Sequence, residues 1–362
     1  MTKKLTVIDF FCGAGGFSEG FKQAGFDTIY ATDFWTPAVE TFKFNNPDTE
    51  VTRANILELE PDAIPRADIV IGGPPCTEFS GSKRGGHGDF EKGLVLVKRY
   101  LYFIHSLKPR WWIMENVPRL LQTLPSRFSF KELGVKGGGY FQIPKRQVFC
   151  AADFGAPQKR TRLLSGVYPD PIQTHAENAN SRLFKGEYDA WVPMRRIIEA
   201  YPDPLGEPSP RKMVVDPIYP KYKVREAELE DHFGEFSVMT PEEAERNRKQ
   251  KVAHAYYGKM KFPDDLDRPA RTVMATSFNA SRETMILEAE KGGKKIYRKP
   301  TIRECASLQC YPIDYKFIGA NPTVKYKLVG NSVPALLSYA IAKAIKKEAG
   351  IKEDKQTVEA LA

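Results

Sequence analysis

Cysteine is scarce in this chain, and what there is of it is spaced for single thiols. Cys12, Cys76, Cys150, Cys305 and Cys310 form no Cys-x-x-Cys pair and no Cys/His cluster at zinc spacing. That argues against a structural metal site, and no metal is expected; it also argues against a thioredoxin-type redox motif. A low, odd count fits a reducing compartment rather than a disulfide scaffold. No apolar run of membrane-spanning length stands out. Met1-Thr2-Lys3-Lys4 leads at once into a strand-like segment, without the apolar stretch and cleavage site of a secretory signal. A cytoplasmic protein with no membrane partner is the resulting expectation. Internal repeats are missing as well.

What the chain does have is size and positive charge. Its 362 residues, 42% of them hydrophobic, can bury a sizeable core in one large or two unequal domains. A formal charge of +9 and a pI near 9.1 favour a polyanionic partner. Between Gly81 and Arg99 the cations Lys83, Arg84, Lys92, Lys98 and Arg99 face only Asp89 and Glu91.

From residue 5 to about 168, short apolar runs alternate with amphipathic stretches. Strands are expected at 5–10, 28–32, 69–72, 111–115, 148–151 and 163–167, and helices at 17–24, 36–44 and 94–107. This alternation predicts a doubly wound, mostly parallel α/β sheet. Near residue 170 prolines and charges become frequent and the rhythm stops. Thr240-Pro241-Glu242-Glu243 there reads as a capped helix start.

The first strand runs into Asp9-Phe10-Phe11-Cys12-Gly13-Ala14-Gly15-Gly16-Phe17-Ser18. Such glycines allow a tight turn and close approach to a ligand at a helix amino terminus. Ser18 stands where a full dinucleotide fingerprint has its third glycine. Asp33 closes the second strand at the position of a ribose-binding acid, and Phe34 is placed to pack on an adenine. An adenosine-containing cofactor is implied, with NAD and S-adenosylmethionine both open at this point.

Three further clusters fall at the carboxyl edge of the predicted sheet. Gly72-Gly73-Pro74-Pro75-Cys76 carries a thiol on a stiff turn, followed by glycines at 81, 85, 86, 88 and 93. Trp111-Trp112-Ile113-Met114-Glu115 puts a carboxylate at a strand end. Gln158-Lys159-Arg160-Thr161-Arg162 puts Arg160 and Arg162 on one side of an extended segment. A thiol, a partly buried carboxylate and an arginine suit nucleophilic addition to an electron-poor heterocycle.

With Arg303-Glu304-Cys305-Ala306-Ser307-Leu308-Gln309 and Gly330-Asn331-Ser332-Val333-Pro334, these blocks run in order over nearly the whole chain. In that order the chain resembles the DNA cytosine-5 methyltransferases of prokaryotic restriction-modification systems. The resemblance implies a Rossmann-like S-adenosylmethionine-dependent methyltransferase fold, a doubly wound mixed sheet, with a second, smaller target-recognition domain. It implies Cys76 as the nucleophile on carbon 6 of a flipped-out cytosine, Glu115 on the base's ring nitrogen and amino edge, and Arg162 with Arg160 positioning the base. S-adenosylmethionine would meet Phe11, Gly13, Gly15, Gly16, Asp33, Phe34, Asn55, Ile56, Pro75, Asn331 and Ser332. Ser82, Lys83 and Arg84 would meet DNA as the loop closes.

Two departures from the family pattern stand out. Thr77 follows Cys76 where many bacterial members have Gln, and Asn55 stands where an acid often holds the adenine amino group. The resemblance also implies the domain plan: 1–185 with 325–349 catalytic, 186–324 for target recognition, and 350–362 a charged tail. Double-stranded DNA is the implied partner of a monomer, with a cognate restriction endonuclease acting on the same site. A tRNA cytosine methyltransferase, a non-catalytic DNA-binding regulator of the same fold and, more distantly, an NAD oxidoreductase are the alternatives.

Overall fold

A computed structural model describes residues 4–75, 90–179, 181, 186–253, 260–276 and 283–351. They fall into two compact units. The first takes residues up to 150, then 161–172, then 337 onward; the second takes 151–160 and 173–336.

The first unit is built on apolar runs too continuous to face water. β1 (Thr6–Phe10), β2 (Asp27–Asp33), β3 (Glu50–Arg53), β4 (Ile69–Gly72) and β5 (Trp111–Asn116) are joined in parallel, in the spatial order β3-β2-β1-β4-β5. α1 (Gly16–Gln23), α2 (Thr36–Asn45) and α3 (Phe90–Leu107) make the crossovers. Ile8, Val70, Ile71, Ile113 and Met114 are fully buried, as a sheet covered on both faces requires. α3 lays Tyr100, Leu101, Phe103 and Ile104 into the same core as Phe10, Val70 and Trp112. The buried Tyr100 hydroxyl donates to the carbonyls of Val70 (3.3 Å) and Ile113 (3.0 Å).

After β5 come the short hairpin strands β6 (Arg127–Ser129) and β7 (Tyr140–Gln142), with α4 (Phe130–Leu133) between them. β8 (Lys145–Cys150) and β9 (Thr161–Val167) then complete seven strands, β9 antiparallel to β5 and β8 antiparallel to β9. The sheet is therefore mixed, and the expected strands at 148–151 and 163–167 begin earlier than expected. The unit is closed by the helix Ala335–Glu348, whose Ile341, Ala342 and Ile345 are fully buried. Ser338 Oγ donates to the Gly16 carbonyl (3.3 Å), and Glu348 accepts from the Trp111 indole (2.6 Å).

In the second unit short elements surround paired buried charges. These are β10 (His175–Ala176) with β11 (Asp189–Ala190), α5 (Arg195–Ile198), β12 (Met213–Val215) with β13 (Lys223–Arg225), and α6 (Glu230–Phe233). There follow α7 (Pro241–Val252), β14 (Leu287–Lys291) with β15 (Lys294–Arg298), α8 (Ile302–Leu308) and α9 (Pro322–Asn331). Thr240 caps α7 in a capping box with Glu243, as its sequence predicts. Arg303 grips Asp231 through two bonds (3.1 and 2.6 Å) and donates to the carbonyls of Pro312 and Tyr315. Glu304 accepts two bonds from Arg298, both at 2.7 Å, and closes a capping box with Thr301. The Arg303-Glu304 pair thus serves the packing of this unit, where an unpartnered charge would be costly.

One expectation changes here, and the compact units are drawn differently from the expected domains. Catalytic segments were expected at 1–185 and 325–349, whereas the first compact unit is left after Ile172 and rejoined at Leu337. A stretch long and apolar enough to cross a membrane does exist, Pro322–Glu348, contrary to the reading of no such run. It is two helices interrupted around Ser332-Val333-Pro334, and 83% of its apolar window is buried.

Candidate active site

At the carboxyl end of β1 the backbone enters the left-handed region at Phe11 (φ 58°), Gly13 (φ 55°) and Gly15 (φ 89°). Gly15 is the N-cap of α1, so the chain reverses at once into the helix. The reversal aims Gly13 N–H at Asp33 Oδ2 (2.9 Å), while Trp35 N–H reaches Asp33 Oδ1 (2.8 Å). Burial raises the Asp33 carboxyl above its ordinary range, and these amides pull it back. Ser18 has a specific use in place of a third glycine: its hydroxyl donates to the buried Asp9 (2.6 Å). Burial pushes Asp9 up to about 7, the Asp33 charge adding to the rise.

Beside this turn lies a cavity of about 270 Å³ lined by Phe11, Thr32, Asp33, Phe34, Ala54, Asn55, Ile56, Pro75 and Leu96. Phe34 is 75% exposed, an open aromatic face. Asn55 is engaged locally: its Oδ1 accepts from Leu57 N–H and its amide donates to Glu58, both at 3.1 Å. Of the expected cofactor residues, six line this one cavity, and Gly13, Gly15 and Gly16 form the turn beside it.

The neighbouring strand ends supply the charged groups. Glu115, at the end of β5, accepts from Arg162 Nε on β9 (2.7 Å), each side chain only 13% exposed. Antiparallel pairing of the two strands sets Glu115 opposite Leu164 and brings Arg162 within reach. The other Glu115 oxygen lies against Gly73, where an added Cβ would meet it at 3.2 Å. Asn116, buried, donates its amide to the Pro74 carbonyl (3.0 Å) and accepts from Val117 N–H (2.9 Å). The Pro74-Pro75 turn is thereby tied to the strand that carries Glu115. Cys76, Ser82, Lys83 and Arg84 lie outside the described residues.

Arg160 departs from its expected place beside Arg162. It is buried in the second unit, donating to the carbonyls of Val273 (3.0 Å) and Gly330 (2.9 Å). Those bonds make it a clamp between segments rather than a group presented to a base. Gln158 repeats the pattern, donating to Leu308 and Gln309 and accepting from Val273 N–H. Gln309 reaches the carbonyls of Val329 and Ser332. Ser332 Oγ is engaged by Leu328 and Tyr311, and Asn331 ends α9 with its side chain exposed. Three of the sequence blocks are therefore one hydrogen-bonded network of the second unit.

Thr32, Ala54 and Leu96 line the cavity without having been singled out. Thr32 and Ala54 sit within a residue or two of Asp33 and Asn55, so an ordinary strand-end reading reaches them. Leu96 reads only as one apolar position of a long helix. Asn116 directly follows Glu115 in the chain, but its partner, the Pro74 carbonyl, lies beyond a separate strand end.

Residues 5–347 match the family model described as C-5 cytosine-specific DNA methylase. The chain is 29% identical to the type II methyltransferase M.DdeI of Desulfomicrobium norvegicum, over 94% of this chain and 88% of that protein. It is 27% identical to M.MthTI of Methanothermobacter thermautotrophicus, over 95% and 98%. In fold it is similar to S. pombe Dnmt2 methyltransferase (TM-score 0.62, 14% identity, 96% of this chain and 100% of that one). The Entamoeba histolytica methyltransferase EhMeth is comparable (TM-score 0.60, 15% identity, 96% and 99%).

Proposed function

The chain belongs to the C-5 cytosine-specific DNA methylase family and is a DNA cytosine-5 methyltransferase; we propose that it uses Cys76 as nucleophile and S-adenosylmethionine as methyl donor on a cytosine flipped out of duplex DNA. The observation that carries this reading is Pro75. It lines the cavity beside Asp33 and Phe34, and the next residue in the chain is Cys76. The nucleophile is thus bonded directly to the wall of the methyl-donor site.

The cavity's residues fit that donor. Asp33, held by two backbone amides, offers its remaining lone pairs to the ribose hydroxyls. Phe34 presents a ring face to the adenine, and Phe11, Ile56, Pro75 and Leu96 supply apolar walls. S-adenosylmethionine, when bound, supplies on a sulfonium sulfur the methyl group that carbon 5 takes. Cys76 thiolate adds to carbon 6 of the base. Glu115, paired with Arg162, meets the ring nitrogen and amino edge, and the Arg162 guanidinium holds the base and offsets the charge that builds up on it. Loss of the carbon-5 proton and release of the thiol end the cycle. Flipping the base out costs on the order of a few kcal/mol, met by contacts to the DNA around it.

The relatives' type II names support a place in restriction-modification, with a cognate endonuclease cutting the same unmethylated site. We assign target reading to residues 186–324 and the reaction to the cytoplasm, by a monomer. The test is incubation with tritiated S-adenosylmethionine and mixed-sequence duplex DNA, with tRNA in parallel. Label at cytosine carbon 5 of DNA is expected; label on tRNA alone overturns the assignment. Cys76→Ser abolishes transfer, and full activity in that variant removes Cys76 as the nucleophile. Bisulfite sequencing of DNA from an expressing host then reads the target.

A further inference from the structure

The wall of the cavity that carries Asn55 and Ile56 is a short loop between β3 and β4, and its own bonds are few. Ala54 N–H donates to the Asp33 carbonyl (3.1 Å), and Asn55 folds the next turn through Leu57 and Glu58. Beyond that turn Ile56 and Ile64 are buried in the core that α3 shares, Arg66 donates to the Ser106 and Leu107 carbonyls, and the backbone of 56–60 is bound by one side chain of α3. Arg99 Nε donates to the Ile56 carbonyl (3.0 Å), and its Nη2 donates to the Leu59 carbonyl and pairs with Glu60 (3.2 Å). The guanidinium is itself fixed, its carbon 4.7 Å from the Tyr102 ring centre and 5.0 Å from that of Phe103. Arg99 is only 18% exposed.

Three residues before Arg99, on the same face of α3, Leu96 forms part of the cavity lining. One helical turn therefore supplies both a piece of the wall and the grip on the loop that carries Asn55 and Ile56. We propose that Arg99 is a positioning residue for the methyl donor: it sets the spacing between α3 and the 54–60 loop, and with it the fit of the adenosine end. The inference rests on the reading of this cavity as the S-adenosylmethionine site. Arginine suits the task because its planar fork serves two carbonyls and a carboxylate at once, which an ammonium on a flexible stem does not.

The test uses the full-length protein, Arg99→Gln and Arg99→Lys, with S-adenosylhomocysteine titrated calorimetrically and steady-state methylation measured in parallel. Losing charge-assisted bonds of this kind is expected to weaken S-adenosylhomocysteine binding, and raise the donor KM, by roughly tenfold to a hundredfold in Arg99→Gln. Arg99→Lys falls between, while kcat at saturating donor and the affinity for DNA stay within about twofold, because the change touches only donor fit. Donor affinity within twofold of wild type in a folded Arg99→Gln overturns the proposal. So does a parallel loss of donor affinity, DNA affinity and thermal midpoint, which is the mark of a merely structural arginine. If Arg99→Gln fails to fold, Arg99→Lys and Glu60→Gln decide on the same criteria. A wild-type protein that gives no S-adenosylhomocysteine isotherm overturns the reading of the cavity itself, a result distinct from equal binding by wild type and variant.

Discussion

Glu115 separates chemistry from binding at the level of one residue. Its carboxylate pairs with Arg162, lies where a Cβ on Gly73 would meet it, and takes no part in the cavity lining. Glu115→Gln keeps the size and an acceptor but loses the charge and the proton-transfer capacity. We expect kcat to fall by roughly 10²–10⁴-fold, the usual contribution of a positioned acid or base, with S-adenosylhomocysteine affinity unchanged. A calorimetric titration beside a single-turnover assay checks both halves.

Asp9 is a residue whose burial has a pH signature. Its folded-state value, about 7, lies above the ordinary 3.8, so between those limits the folded protein holds a proton that the unfolded chain has released. Stability from this group is fully present below 3.8 and is lost as pH rises through about 7. Asp9→Asn keeps an acceptor for Ser18 and removes the titration. Urea unfolding across pH 5 to 8 should show wild type losing stability relative to the variant, at roughly 1.4 kcal/mol per pH unit on the steep part. Parallel curves for the two proteins would show that Asp9 is ionised throughout.

At the scale of elements, two adjacent glycines at the end of β4 do different things. A Cβ on Gly72 would sit 2.6 Å from the Tyr100 ring and 2.8 Å from the Phe10 carbonyl, so Gly72→Ala forces β4 away from β1 and α3. Overpacking of that kind costs about 1–3 kcal/mol, read as a lower denaturant midpoint. Among the described residues a Cβ on Gly73 meets only Glu115 Oε2, at 3.2 Å, a side chain that can give way. Gly73→Ala should therefore leave the midpoint within about 0.5 kcal/mol and lower kcat, since the group that yields is the one assigned to the base. Loss of stability without loss of kcat at Gly73 contradicts that placement of Glu115.

How much of these elements was legible follows from what surrounds them. Ile69-Val70-Ile71 and Trp111 to Met114 are apolar at every position because both faces are covered, and their burial matches the reading. β3 was missed: Glu50-Val51-Thr52-Arg53 is the edge strand, exposed or half-exposed throughout, with no run to announce it. β6 and β7 are three residues each on either side of α4 and a glycine-rich stretch, too short to show a period. The antiparallel direction of β9 was not legible either, since Leu163 and Leu164 are buried in either sense. Arg160 was misplaced for a related reason. Spacing by two pairs it with Arg162, but its carbonyl partners lie 113 and 170 residues away in the chain.

At the scale of the molecule, the limit of each unit is set by what packs, not by where motifs fall. The expected catalytic segment 325–349 begins inside α9; in the structure Lys325 pairs with Glu235 (2.7 Å) and the Tyr326 hydroxyl donates to the Pro300 carbonyl (2.6 Å), both in the second unit. The first unit depends instead on residues from Leu337 onward, which return after more than 160 residues spent elsewhere. Ile341 and Ile345 are fully buried in it, and fully burying such a side chain contributes about 1.5–3 kcal/mol. Ala342, the Ser338 bond to Gly16 and the Glu348 bond to Trp111 add to that. The sum is comparable with the whole stability of an ordinary domain, about 5–15 kcal/mol. A chain ending at Leu336 should therefore lose cooperative melting of the first unit and S-adenosylhomocysteine binding together, although it retains every cavity-lining residue. Adding a synthetic peptide of residues 337–351 should restore both, whereas Trp111→Phe in the full chain, which gives up the indole donor and part of a buried ring, should cost about 1–3 kcal/mol and leave both in place. A 1–336 chain that melts cooperatively and binds S-adenosylhomocysteine like wild type would show that the seven-stranded sheet holds its donor site without the returning helix.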